Sequence, residues 1–278
     1  MKTENNSSVE AILQDFRTYM EYRDMSENTI HAYLYGAEQF LTMYGAISHD
    51  NLMLYKCYLV EHYKPQTVNQ RIRAVNCLLE SLHLSASRIL MIRVQQKPFL
   101  ENVISQADYE YLKKCLIRDG NLLYYFVIRI MSTTGMRISE LVQIQAEDVK
   151  RGHMDIYSKD NKIRRIYIPK KVRKDCLNWL KNIPRTSGYI FLNRYGDRLT
   201  PAGIRGQLKK FTVLYGLDPS VVYPHSFRHL FAKNFLKAHG DISMLSDILG
   251  HESIETTRIY LQRSSAEQKR IINQVVNW

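Results

Sequence analysis

The sequence predicts a mainly helical α+β protein: an all-helical N-terminal domain, then a larger helical domain carrying one small β-sheet. Three observations carry that prediction. Apolar residues recur at three- and four-residue spacing through most of residues 9–85. The stretch "MIRVQQKPFLEN" at 91–102 breaks the pattern and holds Pro98. Further on, two runs rich in β-branched and aromatic residues flank Asp160-Asn161, with helical patterns on either side. A chain of 278 residues suits two ordinary domains. We place them at 1–92 and 103–278, with a linker over 93–102.

In "SENTIHAYLYGAEQFLTMYG", Ser26 is the natural N-cap, and Ile30, Tyr33, Leu34, Ala37, Phe40 and Leu41 form one apolar face that Gly45 ends. Pro65 opens the next clear helix, with Val68, Ile72, Val75, Leu79 and Leu82 facing a core. Arg71 and Arg73 fall off that face. A solvated surface and a DNA-facing surface explain them equally well. Beyond the linker, "QADYEYLKKCLIRDG" and "NLLYYFVIRIMSTTG" are helical, and "HMDIYSK" with "KIRRIYIPK" forms the hairpin. Helices follow over 171–182, 202–215, 225–239 and 241–249, and a last one over 253–276 breaks near 262–265. Internal repeats and low-complexity segments are absent from the sequence.

Composition narrows the function classes. Hydrophobic residues make up 45% of the chain, enough for real cores. No run approaches the roughly 20 apolar residues of a membrane span, and the N-terminus lacks the basic and apolar regions of a signal peptide. Both features predict a cytoplasmic protein with no membrane partner. The cysteines at 57, 77, 115 and 176 are scattered, as reduced structural thiols would be. A formal charge of +12 favours a polyanionic partner, because lysines and arginines release condensed counterions when they meet phosphates.

A constellation of polar residues then stands out. "TTGMRISEL" puts Arg137 just after Gly135; "YPHSFRHLFA" puts His225 and Arg228 on one helix face; "LGHESIETTRIY" puts His251 in a turn and Tyr260 nine residues on. Each has an ordinary structural explanation: a surface ion pair for Arg137, a capping role for either histidine of the 225/229 pair, and half-buried packing for Tyr260, one of 19 tyrosines. His225 and His229 also have metal-ligand spacing, but Ser226 stands where a zinc hydrolase would carry glutamate. Taken together they suit attack on a phosphodiester. Two guanidiniums can hold the non-bridging oxygens, the histidines can donate or exchange protons, and a phenol among cations can be the nucleophile. Fixed cations would then stand in for catalytic metal ions, in keeping with the lack of a magnesium-type carboxylate cluster in the sequence.

The same boxes resemble those of the tyrosine recombinases, the phage integrase family, in layout most like Xer-type and mobile-element members. "TGMRISEL" is similar to the first-arginine box, with Arg137 and its acidic companion Glu140. "SKDNKIRRIYIP" is similar to the hairpin that holds the family's catalytic lysine, which falls on Lys159. "HSFRH" matches the histidine–x–x–arginine box at His225 and Arg228. "LGH" with tyrosine nine residues on matches the last box, at His251 and Tyr260. "SENTIHAY" resembles the N-terminal core-binding domain, so the resemblance spans nearly the whole chain. Ser158 and Asp160 replace the usual glycines around the lysine, which leaves Lys162 as a rival to Lys159.

The resemblance implies a helical core-binding domain and a catalytic domain clamped around duplex DNA carrying specific recombination sites. It implies cleavage through a 3′-phosphotyrosyl bond, exchange through a Holliday junction, and no metal, ATP or other cofactor. It further implies a homotetramer on DNA. The tail "AEQKRIINQVVNW" carries Ile271, Ile272, Val275, Val276 and Trp278 on one stripe, suited to docking on a neighbour or packing on its own domain. Arg71, Arg73, Lys162 and Arg164 are expected to touch DNA. Target sequence, biological job and any accessory proteins stay open. So do three alternatives: a silent DNA-binding protein of the same fold, a type IB topoisomerase-like relaxase, and a zinc hydrolase on His225, His229 and His251.

Overall fold

The computed structural model describes residues 2–94, 102–157, 163–182, 187–251, 253–261 and 272–276, with the first seven of these by backbone only. The chain forms two compact units, residues 1–96 and 97–278.

The first unit holds four helices: α1 (Lys2–Tyr22), α2 (Glu27–Tyr44), α3 (His49–His62) and α4 (Pro65–Ser81). Helix α2 begins where the Ser26 hydroxyl accepts a hydrogen bond from the Thr29 amide, and it ends at Gly45. It packs on α4 and α1, and α3 lies against α4. Their apolar faces bury Phe16, Met20, Ile30, Phe40, Leu52, Tyr55, Ile72 and Leu78. The chain stays tied to this unit as far as Ile92. The Asn76 and Asn69 side-chain oxygens accept from the Ile89 and Ile92 amides at 2.8 and 2.9 Å, and their amide groups donate back to the same residues' carbonyls.

The second unit contains α5 (Gln106–Arg118), α6 (Leu122–Thr134), short α7 (Ile138–Leu141) and α8 (Ala146–Arg151), strands β1 (His153–Tyr157) and β2 (Ile163–Tyr167), then α9 (Lys170–Lys181), α10 (Pro201–Tyr215), α11 (Pro224–His239), α12 (Ile242–Leu249) and α13 (Ile254–Arg258). The strands pair antiparallel, from His153 opposite Tyr167 to Tyr157 opposite Ile163. Helix α6 packs on α5, α9 and α11. Phe126 stacks on Trp179 with ring centroids 4.7 Å apart. A smaller apolar cluster gathers Ala232, Leu245, Leu249 and Tyr260, with Phe231, Phe235, Leu236 and Ile259 against it.

The sequence places Tyr260 on a long final helix, and the structure differs. Helix α13 stops at Arg258, and residues 259–261 form a 3-10 turn. The tighter turn lets consecutive residues Ile259 and Tyr260 both pack inward against the α11–α12 cluster. Two glycines fix how the site is assembled. Gly135 (φ +67°) ends α6, and a Cβ there would run into Phe231 and Leu249; Gly250 (φ +62°) ends α12, and a Cβ there would run into the Arg164 side chain.

Candidate active site

Three chain segments meet at the end of α12. After Gly135 the chain turns, so Arg137 becomes the N-cap of α7 and Glu140 its third residue. The buried Glu140 carboxylate accepts from the Arg137 amide at 2.7 Å and from its guanidinium at 3.0 Å. Arg137 Nη2 also donates to the Gly250 carbonyl at 3.1 Å. Arg137 is thus half-exposed but fixed in direction, with the capping-box logic of a helix start holding a cation in place.

Arg228 comes from α11, where Pro224 sets the first turn. It is 3% exposed. Nη1 donates to the Gly135 carbonyl and Nη2 to the Leu249 carbonyl, both at 2.7 Å. Burial, then the nearby Arg137 charge, pushes its pKa down to about 10, so it stays cationic at neutral pH. Its Nη2 also meets His251 Nε2 at 2.9 Å. A guanidinium only donates, so His251 accepts at Nε2 and carries its proton on Nδ1, 2.7 Å from the buried Thr257 hydroxyl. Burial and then Arg228, Arg137 and Arg164 push the His251 pKa down to about 4. In the free chain, the last carbonyls of α12 receive the arginine donors. These carbonyls are the partially negative end of a helix, and they occupy donors that would otherwise seek an anion.

The Tyr260 ring sits in the small apolar cluster and its hydroxyl meets His229 Nδ1 at 2.9 Å. Packing residue and polar residue are therefore the same side chain. Burial raises the phenol pKa, and Arg228 pulls the other way without winning. In the free chain the activating effect of Arg228 on this hydroxyl is present but smaller than the opposing effect of burial. His225 lies one turn before His229, ring centroids 6.4 Å apart, at the more exposed end of the pair. Partial desolvation, then Arg228, Arg137 and Arg205, lower its pKa.

Arg164 departs from its expected place on a DNA-facing surface. Its side chain is 13% exposed and pairs with Glu140. It also donates to the Ile248 and Leu249 carbonyls. The reason is register: Arg164 stands opposite Ile156 on the hairpin face that turns inward, whereas its neighbour Arg165 faces outward and pairs with Asp155 at 2.7 Å. Arg164 therefore fastens β2 to both α7 and α12. Lys159 and Lys162 lie outside the described residues. In the first unit, Arg71 is half-buried with its guanidinium 4.0 Å over the Tyr35 ring, whereas Arg73 is exposed beside Tyr33, Gln66 and Gln70. Among the described residues, no group of three or more His, Cys, Asp or Glu side chains is placed to hold a metal ion. Sequence reasoning missed Thr257, the inward role of Arg164 and the contact of His229 with Tyr260, having weighed His229 only as a capping residue or zinc ligand. The signal for His229 was its place directly after Arg228, four residues past His225.

A family model described as "Phage integrase family" matches residues 100–267. The chain belongs to the phage integrase family. It is 27% identical over 275 residues to the tyrosine recombinase XerA of Pyrococcus furiosus, covering 95% of this chain and 93% of that one. To the tyrosine recombinase XerC of Herpetosiphon aurantiacus it is 30% identical over 279 residues, covering 91% and 90%. Among solved structures, it resembles the Tn1549 transposon integrase in complex with transposon right end DNA, with a TM-score of 0.69, 16% identity and coverage of 95% and 99%. A lambda integrase tetramer bound to a Holliday junction gives a TM-score of 0.71 at 12% identity, over 92% and 79%. These two likenesses establish the shared α+β fold. The recombinase is thus an enzyme of site-specific DNA recombination, one that cleaves and rejoins DNA strands. Among the described residues, no helix is long and apolar enough to cross a membrane.

Proposed function

We propose that this recombinase cuts duplex DNA at specific sites with Tyr260 as nucleophile, leaving a 3′-phosphotyrosyl bond and a free 5′-hydroxyl. That hydroxyl then attacks the linkage on a partner duplex, and paired exchanges pass through a Holliday junction. The observation that carries this reading is the convergence of Arg137, Arg228 and His251 on one turn beside the Tyr260 hydroxyl.

Each residue's role follows from its donors. A phosphodiester entering the mouth competes with the Gly250 and Leu249 carbonyls for the guanidiniums of Arg137 and Arg228. A full negative charge outbids partial charges, because charge-assisted bonds are roughly twice as strong as neutral ones. The two arginines then face the non-bridging oxygens, where charge grows as the phosphorus becomes five-coordinate. Glu140 keeps Arg137 aimed. His225, at the open end, assists as a donor to the phosphate, while His251 steadies Arg228 through Nε2. Lys159, with Lys162 as the rival, protonates the leaving 5′-oxygen. Arg73 and Arg71 contact the DNA backbone from the helical core-binding unit. No metal ion or other cofactor enters, since the arginines supply the positive charge. The exposed Ile272, Val275 and Val276 suit docking of the tail on a neighbour in a homotetramer. The reaction takes place in the cytoplasm, and it serves integration or excision of a mobile element, or resolution of the Xer type.

Covalent capture tests the reading. The chain is incubated in EDTA with sheared genomic DNA from its source organism and denatured, and the adducts are isolated and mapped. The expected result is a DNA adduct at Tyr260, lost in Tyr260→Phe, whose attached sequence identifies the site. Retained DNA without any adduct would leave only a binding protein, and an adduct surviving in Tyr260→Phe would assign the nucleophile elsewhere.

A further inference from the structure

We propose that His229 Nδ1 is the base that takes the proton from the Tyr260 hydroxyl as that oxygen attacks phosphorus. This deepens the recombinase reading and rests on it. The nucleophile must lose a proton in the cleavage step, and the structure places a ring nitrogen 2.9 Å from it. The two rings meet at a centroid distance of 5.5 Å and an angle of 53°.

The direction of that hydrogen bond follows from the surroundings. The Tyr260 phenol is desolvated and holds its proton, so its hydroxyl donates. His229 then accepts at Nδ1 and carries its own proton on Nε2. Burial, then His225 and Arg228, push its pKa down to about 4, so it is neutral and its lone pair is free to accept. The other histidines are less well placed for this task. His251 already uses both nitrogens, one on Arg228 and one on Thr257. His225 lies a full turn away, toward the open side.

A base this weak leaves the phenol undisturbed in the free chain, and bound DNA changes the balance. The phosphate's negative charge neutralises Arg228, one of the groups that depress His229, and so raises the basicity of Nδ1. The phenol oxygen also turns strongly acidic as its bond to phosphorus forms, so transfer becomes favourable along the reaction coordinate. The step balances. The O–H bond of Tyr260 breaks and its proton goes to Nδ1. The O–P bond forms, the P–O5′ bond breaks, and the 5′-oxygen takes a proton from the separate acid on the hairpin. In rejoining, the 5′-hydroxyl returns its proton to that acid, and His229 returns its own to the departing phenolate, which leaves facing Arg228.

The test uses the full chain in the same capture assay, timed. His229→Asn puts an acceptor oxygen near the Nδ1 position but cannot take a proton. It is expected to form the Tyr260 adduct about 100-fold more slowly, at the low end for loss of a general base. Replacing Tyr260 in that variant by a fluorinated tyrosine, a more acidic phenol, should restore at least about a tenth of the native rate. DNA retention and the fluorescence of Trp179, in the core of the same unit, should match the native chain. Adduct formation by His229→Asn within about threefold of native would overturn the proposal. So would a slowing that the acidic phenol does not relieve, which would mark His229 as a packing residue. Absence of an adduct in the native chain is a different outcome, and it sinks the underlying recombinase reading as well.

Discussion

Glu140→Ala should strongly destabilise the second unit. Glu140 is 7% exposed; its carboxylate accepts from the Arg137 amide and guanidinium and forms an ion pair with the Arg164 guanidinium. The Arg137 pair is open to solvent, with a side chain 39% exposed, and is screened to between about 0 and 1 kcal/mol. The Arg164 pair is different. Removing its partner leaves a largely buried guanidinium uncompensated, which costs about 3–5 kcal/mol. The lost cap at α7 adds about 1 kcal/mol. A total near 4–7 kcal/mol corresponds to a fall in melting temperature of about 8–28 °C for a domain of this size. The chain has two tryptophans, Trp179 and Trp278, both in the second unit, so tryptophan fluorescence in urea follows that unit alone. A double variant, Glu140→Gln with Arg164→Met, removes the buried charge along with its partner and should recover most of the loss. Stability of Glu140→Ala within about 1 kcal/mol of native would refute the argument, since Arg164 would then have no need of its carboxylate.

Three further outcomes follow from the same geometry. Gly250→Ala puts a methyl group into the Arg164 side chain at a left-handed backbone position; it should cost about 1–3 kcal/mol in the urea titration and slow adduct formation, whereas Gly240→Ala, left-handed but with open space around it, should keep native cleavage. His229 and His251 each have a folded pKa near 4, below the ordinary 6.5, so the unfolded chain binds more protons between those values. Their contribution to stability is complete above about pH 6.5 and is lost as pH falls toward 4, and the Trp179 urea midpoint should drop across that window, less so in His251→Asn. Truncation after Ser265 should leave a folded chain that binds DNA yet sediments as smaller complexes on a recombination site, and tetramers of undiminished yield would return the tail to its own domain.

Much of the fold was legible because its causes are local. Ser26, Gly45, Pro65 and the spacing of Ile30, Phe40 and Ile72 act within a turn or two of themselves, and the helices they predict are present. Arg137, Arg228, His251 and Tyr260 were legible as a set, and the structure brings them to one place. What stayed hidden depends on long-range register. The inward turn of Arg164 is set by which face of the hairpin meets α12, and adjacent Arg164 and Arg165 look alike in sequence. The His229–Tyr260 contact spans 31 residues and two helices, and the 3-10 turn that makes it possible answers to the cluster beneath it rather than to propensity. The place of His229 directly after Arg228 marks it as near the site, but nothing local names Tyr260 as its partner.

One arginine has a consequence for how the chain acquires its site. Arg228 ties together carbonyls that lie 93 and 21 residues away along the chain, and without both ties its charge has no fixed heading. That arrangement cannot arise on a nascent or half-collapsed polypeptide, because its parts are delivered by elements that meet only in the folded unit. A chain cut short before Leu249 would therefore keep Arg228 but lose one of the two carbonyls that aim it. The heading of that charge is thus a property of the finished unit and of no shorter stretch of the chain.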